Sequence, residues 1–124
     1  MAFAEQAKVR MALTGSESDT TFDTLIGEKM TEADNEIADM LYMAAQKWGK
    51  KQALPAVDIT NGYIGGVSVP QNIKDAASNL AAALCYLMMK QYDTHNIYKA
   101  MAQQTVDGYI QRLAYDQEVF LGFF

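Results

Sequence analysis

The sequence predicts a mainly α-helical domain with one β-hairpin, and three patterns lead to that reading. Apolar residues recur three and four positions apart over long stretches, the repeat that lays one stripe along a helix. Gly15, Gly49 and Pro70 stand at the boundaries between those stretches. One glycine-rich segment, 57–69, abandons the helical repeat and is β-branched instead.

Residues 3–13 make a short first helix, with Phe3, Ala7, Met11 and Leu13 near one face. Thr14-Gly15-Ser16 ends it, because glycine most readily takes the left-handed turn past a helix end. Ser18 or Asp19 then caps a second helix that runs to about Trp48. Its stripe is Phe22, Leu25, Ile26, Met30, Ala33, Ile37, Leu41, Ala44 and Trp48. The acids Glu28, Glu32, Asp34, Glu36 and Asp39 fall mostly off that stripe. Lys47, Lys50 and Lys51 gather at the end of the helix, where they suit its dipole.

Residues 52–69 change character. Asn61-Gly62 is the strongest short signal for a two-residue type I′ hairpin turn. Ile59 and Ile64 then face each other across the ladder beside Tyr63, and Gly65-Gly66 bend or bulge the return strand. Pro70 opens a third helix where its missing N–H costs nothing. That helix runs to about Asp93, carries no charge between Ala76 and Met89, and is the expected centre of the core. Asp93-Thr94-His95-Asn96 separates it from a last helix, about 96–116, with Ile97, Met101, Val106, Ile110 and Leu113 turned inward. The expected product is a small bundle of two long and two shorter helices with a hairpin arm at about 57–69. Residues 1–118, including the arm at 52–69, make one domain; residues 119–124 form an aromatic tail.

Composition narrows the function. A chain of 124 residues, half of them apolar and with two prolines, supports a core without staples. Ten basic against fifteen acidic residues leave a net charge of −5, which disfavours wrapping nucleic acid. The lone cysteine, Cys85, suits a reducing compartment, and "MAFAEQAKVR" has no apolar export region. The apolar run from Leu80 to Met89 is about half of the roughly 20 residues that a membrane span needs.

Candidate chemistry was sought where polar groups converge. Glu32, Glu36 and Asp39 form an E-x-x-x-E-x-x-D pattern, of the kind that all-α nucleotide pyrophosphohydrolases use to hold Mg²⁺. A second acidic pair on a facing helix, which such a site needs, is missing from the sequence, so a solvated acidic face accounts for the pattern. His95 has no companion ligands in its loop, and Cys85 has no neighbouring base to lower its thiol pKa. Gly62, Gly65 and Gly66 lack the ending of a phosphate loop. Met40, Met43, Met88 and Met89 are explained as core filling on helices. The expectation is a protein without catalytic, cofactor or metal site.

The order of elements, together with "AKVRMALTGSESDTTFDTLI", "EADNEIADMLYMAAQKWG" and "VPQNIKDAASNLAAALCYLMMKQYD", resembles the head–tail connector (adaptor) proteins of tailed phages. The likeness spans about residues 5–115 and lies in element order and apolar pattern. It implies a structural virion protein, made in the host cytoplasm, that assembles with itself into a ring, commonly twelve-fold, beneath the portal. Portal protein and a neck, stopper or tail-completion protein are the implied partners, and DNA passes through without sequence-specific binding or any membrane. The resemblance makes Val119, Phe120, Leu121, Phe123 and Phe124 a portal-docking tail; the alternative is that Phe120 and Phe124 cover the end of their own bundle. Ile59, Asn61, Gly62, Tyr63 and Ile64 become an arm towards a neighbouring subunit or neck protein, or else an ordered surface loop. Glu28, Glu32, Glu36 and Asp39 line either the lumen or the outer surface. The rival functions are the Mg²⁺-dependent hydrolase and a helical interaction domain with no viral role.

Overall fold

The computed structural model describes residues 3–48, 57–58, 63–64 and 67–121; for residues 44–48, 57–58, 63–64, 67–68 and 113–121 it describes the backbone. The chain is mainly helical. Among the described residues the helices are α1 (Gln6–Thr14), α2 (Asp23–Trp48), α3 (Gln71–Met88) and α4 (Tyr92–Leu121). Three two-residue strands, β1 (Val57–Asp58), β2 (Tyr63–Ile64) and β3 (Val67–Ser68), lie between α2 and α3 in the chain.

α3 is the central element because its inward residues are small. Ala76, Ala77, Ala81, Ala82 and Ala83 are buried beside Ile73, Leu80 and Cys85, and short side chains let neighbouring helices approach closely. α1, α2 and α4 all pack on it. α2 contributes Ile26, Met30, Ala33, Ile37, Met40 and Leu41, largely the stripe its spacing predicts.

α1 is latched on by its polar groups as much as by its apolar face. Phe3, just before the helix, is 1% exposed. The next two amides find buried partners: Ala4 N–H donates to Asp34 Oδ1 at 2.9 Å, and Glu5 N–H to Ser78 Oγ at 2.9 Å. Ser78 in turn donates to the Lys74 carbonyl at 2.9 Å. Outside this pair, Gln71 Nε2 donates to Glu5 Oε1 at 2.6 Å and Lys8 pairs with Asp75. At the far end Tyr86 O–H donates to the Ala12 carbonyl at 2.7 Å while its ring stacks on Tyr98, centroids 5.6 Å apart. Within α1 the buried residue is Val9, with Ala12 and Leu13 partly covered. Ala7 and Met11, expected inward, face out, because Val9, Ala12 and Leu13 carry the three-and-four spacing from the point where Phe3 is anchored.

Asp34 corrects the expectation of a solvent-facing acid. It lies four residues after Met30 and three before Ile37, which puts it on the buried stripe, and it is buried. A buried amide left without an acceptor costs about 1–3 kcal/mol, and this carboxylate supplies the acceptor for Ala4.

The helix boundaries follow local hydrogen bonding. Gly15 ends α1 in the left-handed region (φ 78°), its N–H donating to Met11 O at 2.9 Å. α2 begins at Asp23, later than the predicted cap. Asp19 Oδ1 instead accepts from the Thr21 amide at 2.9 Å and its hydroxyl at 2.5 Å, a turn ahead of the helix. Arg10 grips Asp23 with Nε to Oδ1 at 2.9 Å and Nη2 to Oδ2 at 2.5 Å, tying α1 to the first residue of α2.

The α3–α4 break falls at Met89–Gln91, not at Asp93-Thr94-His95-Asn96. Gln91 N–H donates to Tyr86 O at 2.9 Å and Lys90 N–H to Leu87 O at 3.0 Å, with Lys90 left-handed at φ 59°. That is a Schellman ending built without glycine. Asp93 therefore sits in the first turn of α4, where a negative charge suits the dipole. α3 is consequently shorter than expected, at 18 residues, and α4 is the longest helix, at 30.

The strands pair antiparallel in the order β1-β2-β3. Val57 opposes Ile64 and Asp58 opposes Tyr63; Tyr63 opposes Ser68 and Ile64 opposes Val67. The predicted partner of Ile64 was Ile59, so the ladder is shifted by two residues. Four residues, 59–62, then separate β1 from β2 in the chain, and two, 65–66, separate β2 from β3. Ile59, Asn61, Gly62, Gly65 and Gly66 themselves lie outside the described residues.

Candidate functional site

The acids singled out in the sequence do not converge. Glu28, Glu32 and Asp39 are exposed and Glu36 is half-buried. Glu28 and Asp39 stand on one helix about 16 Å apart along its axis, at about 1.5 Å per residue. Glu32 accepts from Lys29 Nζ at 3.1 Å, and Glu36 Oε1 lies 4.0 Å from Lys99 Nζ on α4. Among the described residues no three His, Cys, Asp or Glu side chains are grouped to hold a metal ion. These carboxylates thus form a charged face along α2.

His95 is a helical residue, not a loop residue. Its Nδ1 lies 2.9 Å from the Ala83 carbonyl of α3. A carbonyl only accepts, so Nδ1 carries the hydrogen and the ring fastens the start of α4 to α3. Cys85 is buried, and that burial pushes its thiol up to about 11. Neither group stands in an open site.

Residues 119–124 divide at Leu121. The helical backbone of α4 continues through Val119, Phe120 and Leu121, beyond the end expected near Asp116. Phe123 and Phe124 lie outside the described residues. Of the arm, Tyr63 and Ile64 form β2.

The surface that the sequence did not reveal is on α4. Its inward residues are Ala102, Val106 and Ile110, with Tyr98 and Tyr109 partly covered. This phase turns Ile97 (60% exposed) and Met101 (44% exposed) to solvent, although both were expected in the core. The physical reason is that Tyr98 and Ala102 fit against the alanine face of α3, and residues one position earlier on a helix point about 100° away. Leu87, Met88 and Tyr92 are exposed at the α3–α4 corner, and Tyr42 and Met43 (66% exposed) on α2. Of the methionines assigned to core filling, Met40 is buried, whereas Met43 and Met88 are not.

Beyond Met101 the exposed side of α4 borders a cleft of about 600 Å³, lined by Pro70, Asn72, Gln104, Gly108, Tyr109 and Arg112, among others. It offers amide, phenol and guanidinium groups near the start of α3. Burial pushes the Tyr109 hydroxyl pKa up, so it stays a neutral donor at ordinary pH. Among the described residues that line it there is no carboxylate. A periodicity count could have found the α4 face: 98, 102, 106 and 109/110 also make a helical stripe, but of smaller and more polar residues.

No helix among the described residues is long and apolar enough to cross a membrane. Comparison with family models, with curated proteins and with solved structures gave no match.

Proposed function

We propose that this chain is a structural subunit of the head–tail connector of a tailed virus, a ring-forming adaptor that docks beneath the portal and receives the next neck protein. The observation that carries the reading is the set of large apolar side chains left in solvent on α2, α4 and the α3–α4 corner. Exposed apolar surface of this kind is what protein contacts cover. The element order of the family resemblance points the same way.

In this reading residues 119–124 carry the portal contact. Burying Val119, Phe120, Leu121, Phe123 and Phe124 contributes on the order of 1.5–3 kcal/mol for each side chain before ordering costs are subtracted. Repetition round a ring makes each later contact effectively intramolecular, so weak single contacts sum to a firm joint. The hairpin arm, with Ile59, Asn61, Gly62, Tyr63 and Ile64, reaches a neighbour through its strand edges. Glu28, Glu32, Glu36 and Asp39 present negative charge that repels DNA phosphates wherever the duplex passes.

The test is co-sedimentation with DNA-filled, portal-bearing heads of the encoding virus. The full chain is expected to pellet with the heads, and a chain lacking residues 119–124 to stay in the supernatant. Failure of the full chain to pellet removes the connector reading. Equal pelleting of both chains removes the docking role of residues 119–124.

A further inference from the structure

We propose that the exposed stripe of α2 seats on the exposed stripe of α4 in a second copy of this chain, an inference that rests on the ring reading above and names the surfaces that meet. On α2, Glu28, Glu32, Asp39 and Met43 are all exposed, spaced by four, seven and four residues. On α4, Ile97, Met101, Gly108 and Arg112 are all exposed, at the same four, seven and four. Each stripe is about 22 Å long at about 1.5 Å per residue.

Run antiparallel, the two stripes match in chemistry. Met43 enters the gap between Ile97 and Met101. Asp39 then falls beside the Gln104 amide, and Glu32 lies over Gly108 next to the Arg112 guanidinium. Gly108 fits this role. It is an exposed glycine inside a helix, where glycine is a poor helix former, and an added Cβ would meet nothing within 4 Å in its own chain. Its own packing does not require a glycine; the close approach of another backbone does.

The chain cannot satisfy this contact internally. Lys99, which reaches Glu36 of its own α2, is two residues before Met101 and so about 200° round the helix. The α4 stripe therefore faces away from the molecule's own α2. In the same antiparallel sense, pairing α2 with α2 sets Glu32 against Asp39, and pairing α4 with α4 sets Arg112 against Ile97 with no acid to meet it, so charge favours the unlike pair. Joining two different surfaces is a head-to-tail contact, which closes into a ring when the rotation allows. A stripe about 22 Å by 10 Å is far below the roughly 800 Å² per partner of a standard interface, so one such contact is weak and closure supplies the stability.

The test uses Met43→Cys and Met101→Cys chains, each exposed and each carrying Cys85 buried out of reach. They are mixed and oxidised, both free at high concentration and on portal-bearing heads. The expected result is a disulfide dimer with one chain of each kind, at least tenfold above the yield of either variant alone. The double variant gives a ladder of dimers, trimers and larger species. Glu32→Arg lowers the mixed yield several-fold, and adding Arg112→Glu restores it. Equal yields from single variants, or no mixed dimer in either setting, overturn the proposal. A ladder from chains that never join heads sinks the connector reading and leaves this interface standing; joining heads without a ladder does the reverse.

Discussion

Phe3→Ala is the substitution that most sharply separates buried from exposed apolar residues in this fold. Phe3 is 1% exposed and seated among α2 and α3 residues in the core. Truncating a buried phenylalanine costs about 3–5 kcal/mol from lost transfer and the cavity left behind. The adjacent amides of Ala4 and Glu5, held by Asp34 and Ser78, loosen with it. Against a total of roughly 5–15 kcal/mol for a domain, this is a large fraction. Urea unfolding followed by circular dichroism is expected to show the midpoint lowered by that loss divided by the slope, with the slope itself unchanged. Hydrogen exchange is expected to lose protection first at Ala4 and Glu5. Ile97→Ala, at a residue 60% exposed, is expected to stay within about 0.5 kcal/mol in the free chain. A loss below about 1 kcal/mol for Phe3→Ala, or a loss of about 3 kcal/mol or more for Ile97→Ala, refutes the packing described above.

Other perturbations read individual features. Lys90→Gly relieves a left-handed residue at the end of α3 and is expected to raise stability by about 0.5–1 kcal/mol in the same urea assay. Gly15→Ala, at φ 78° with open space around the added methyl, is expected to cost about 1 kcal/mol through backbone strain alone. Because the Cys85 thiol is pushed up to about 11 by burial, a thiol reagent at pH 8 is expected to leave it unmodified until denaturant is added. Acid titration has a defined sign. The Arg10 guanidinium holds the Asp23 carboxyl below its usual 3.8, and the Thr21 hydroxyl and amide do the same for Asp19. Burial opposes this at Asp75, but Lys8 and Gln71 outweigh it. Their stabilisation is therefore complete above the usual carboxylate value and fades as pH falls through the depressed folded values. Arg10→Gln is expected to flatten that acid limb.

The α2 stripe from Ile26 to Leu41 was legible because a repeat of three and four has one structural meaning, and Gly15 because its terminating role is local. Asp34 was not, since a carboxylate is scored as a surface residue unless its acceptor role for a residue thirty positions away is known. The α3–α4 break was misplaced because Lys90 carries no turn signal. Asp-Thr-His-Asn does carry one, yet those residues serve equally well at a helix start. Tertiary contacts, His95 on Ala83 O and Tyr98 on Tyr86, accompany the choice. On α4, hydrophobicity favoured Ile97 and Met101 over Ala102, but the alanine-rich surface of α3 accepts the small residue. Ile97 and Met101 were left outside by that fit, and with them the candidate contact surface.

The most direct test of the connector account is a density map of portal-bearing heads incubated with the protein. The account predicts a closed ring of this chain beneath the portal, with α2 of each copy against α4 of the next and residues 119–124 inside portal density. No ring at that vertex, or phenylalanines 120, 123 and 124 packed beneath the helices of their own copy, contradicts it.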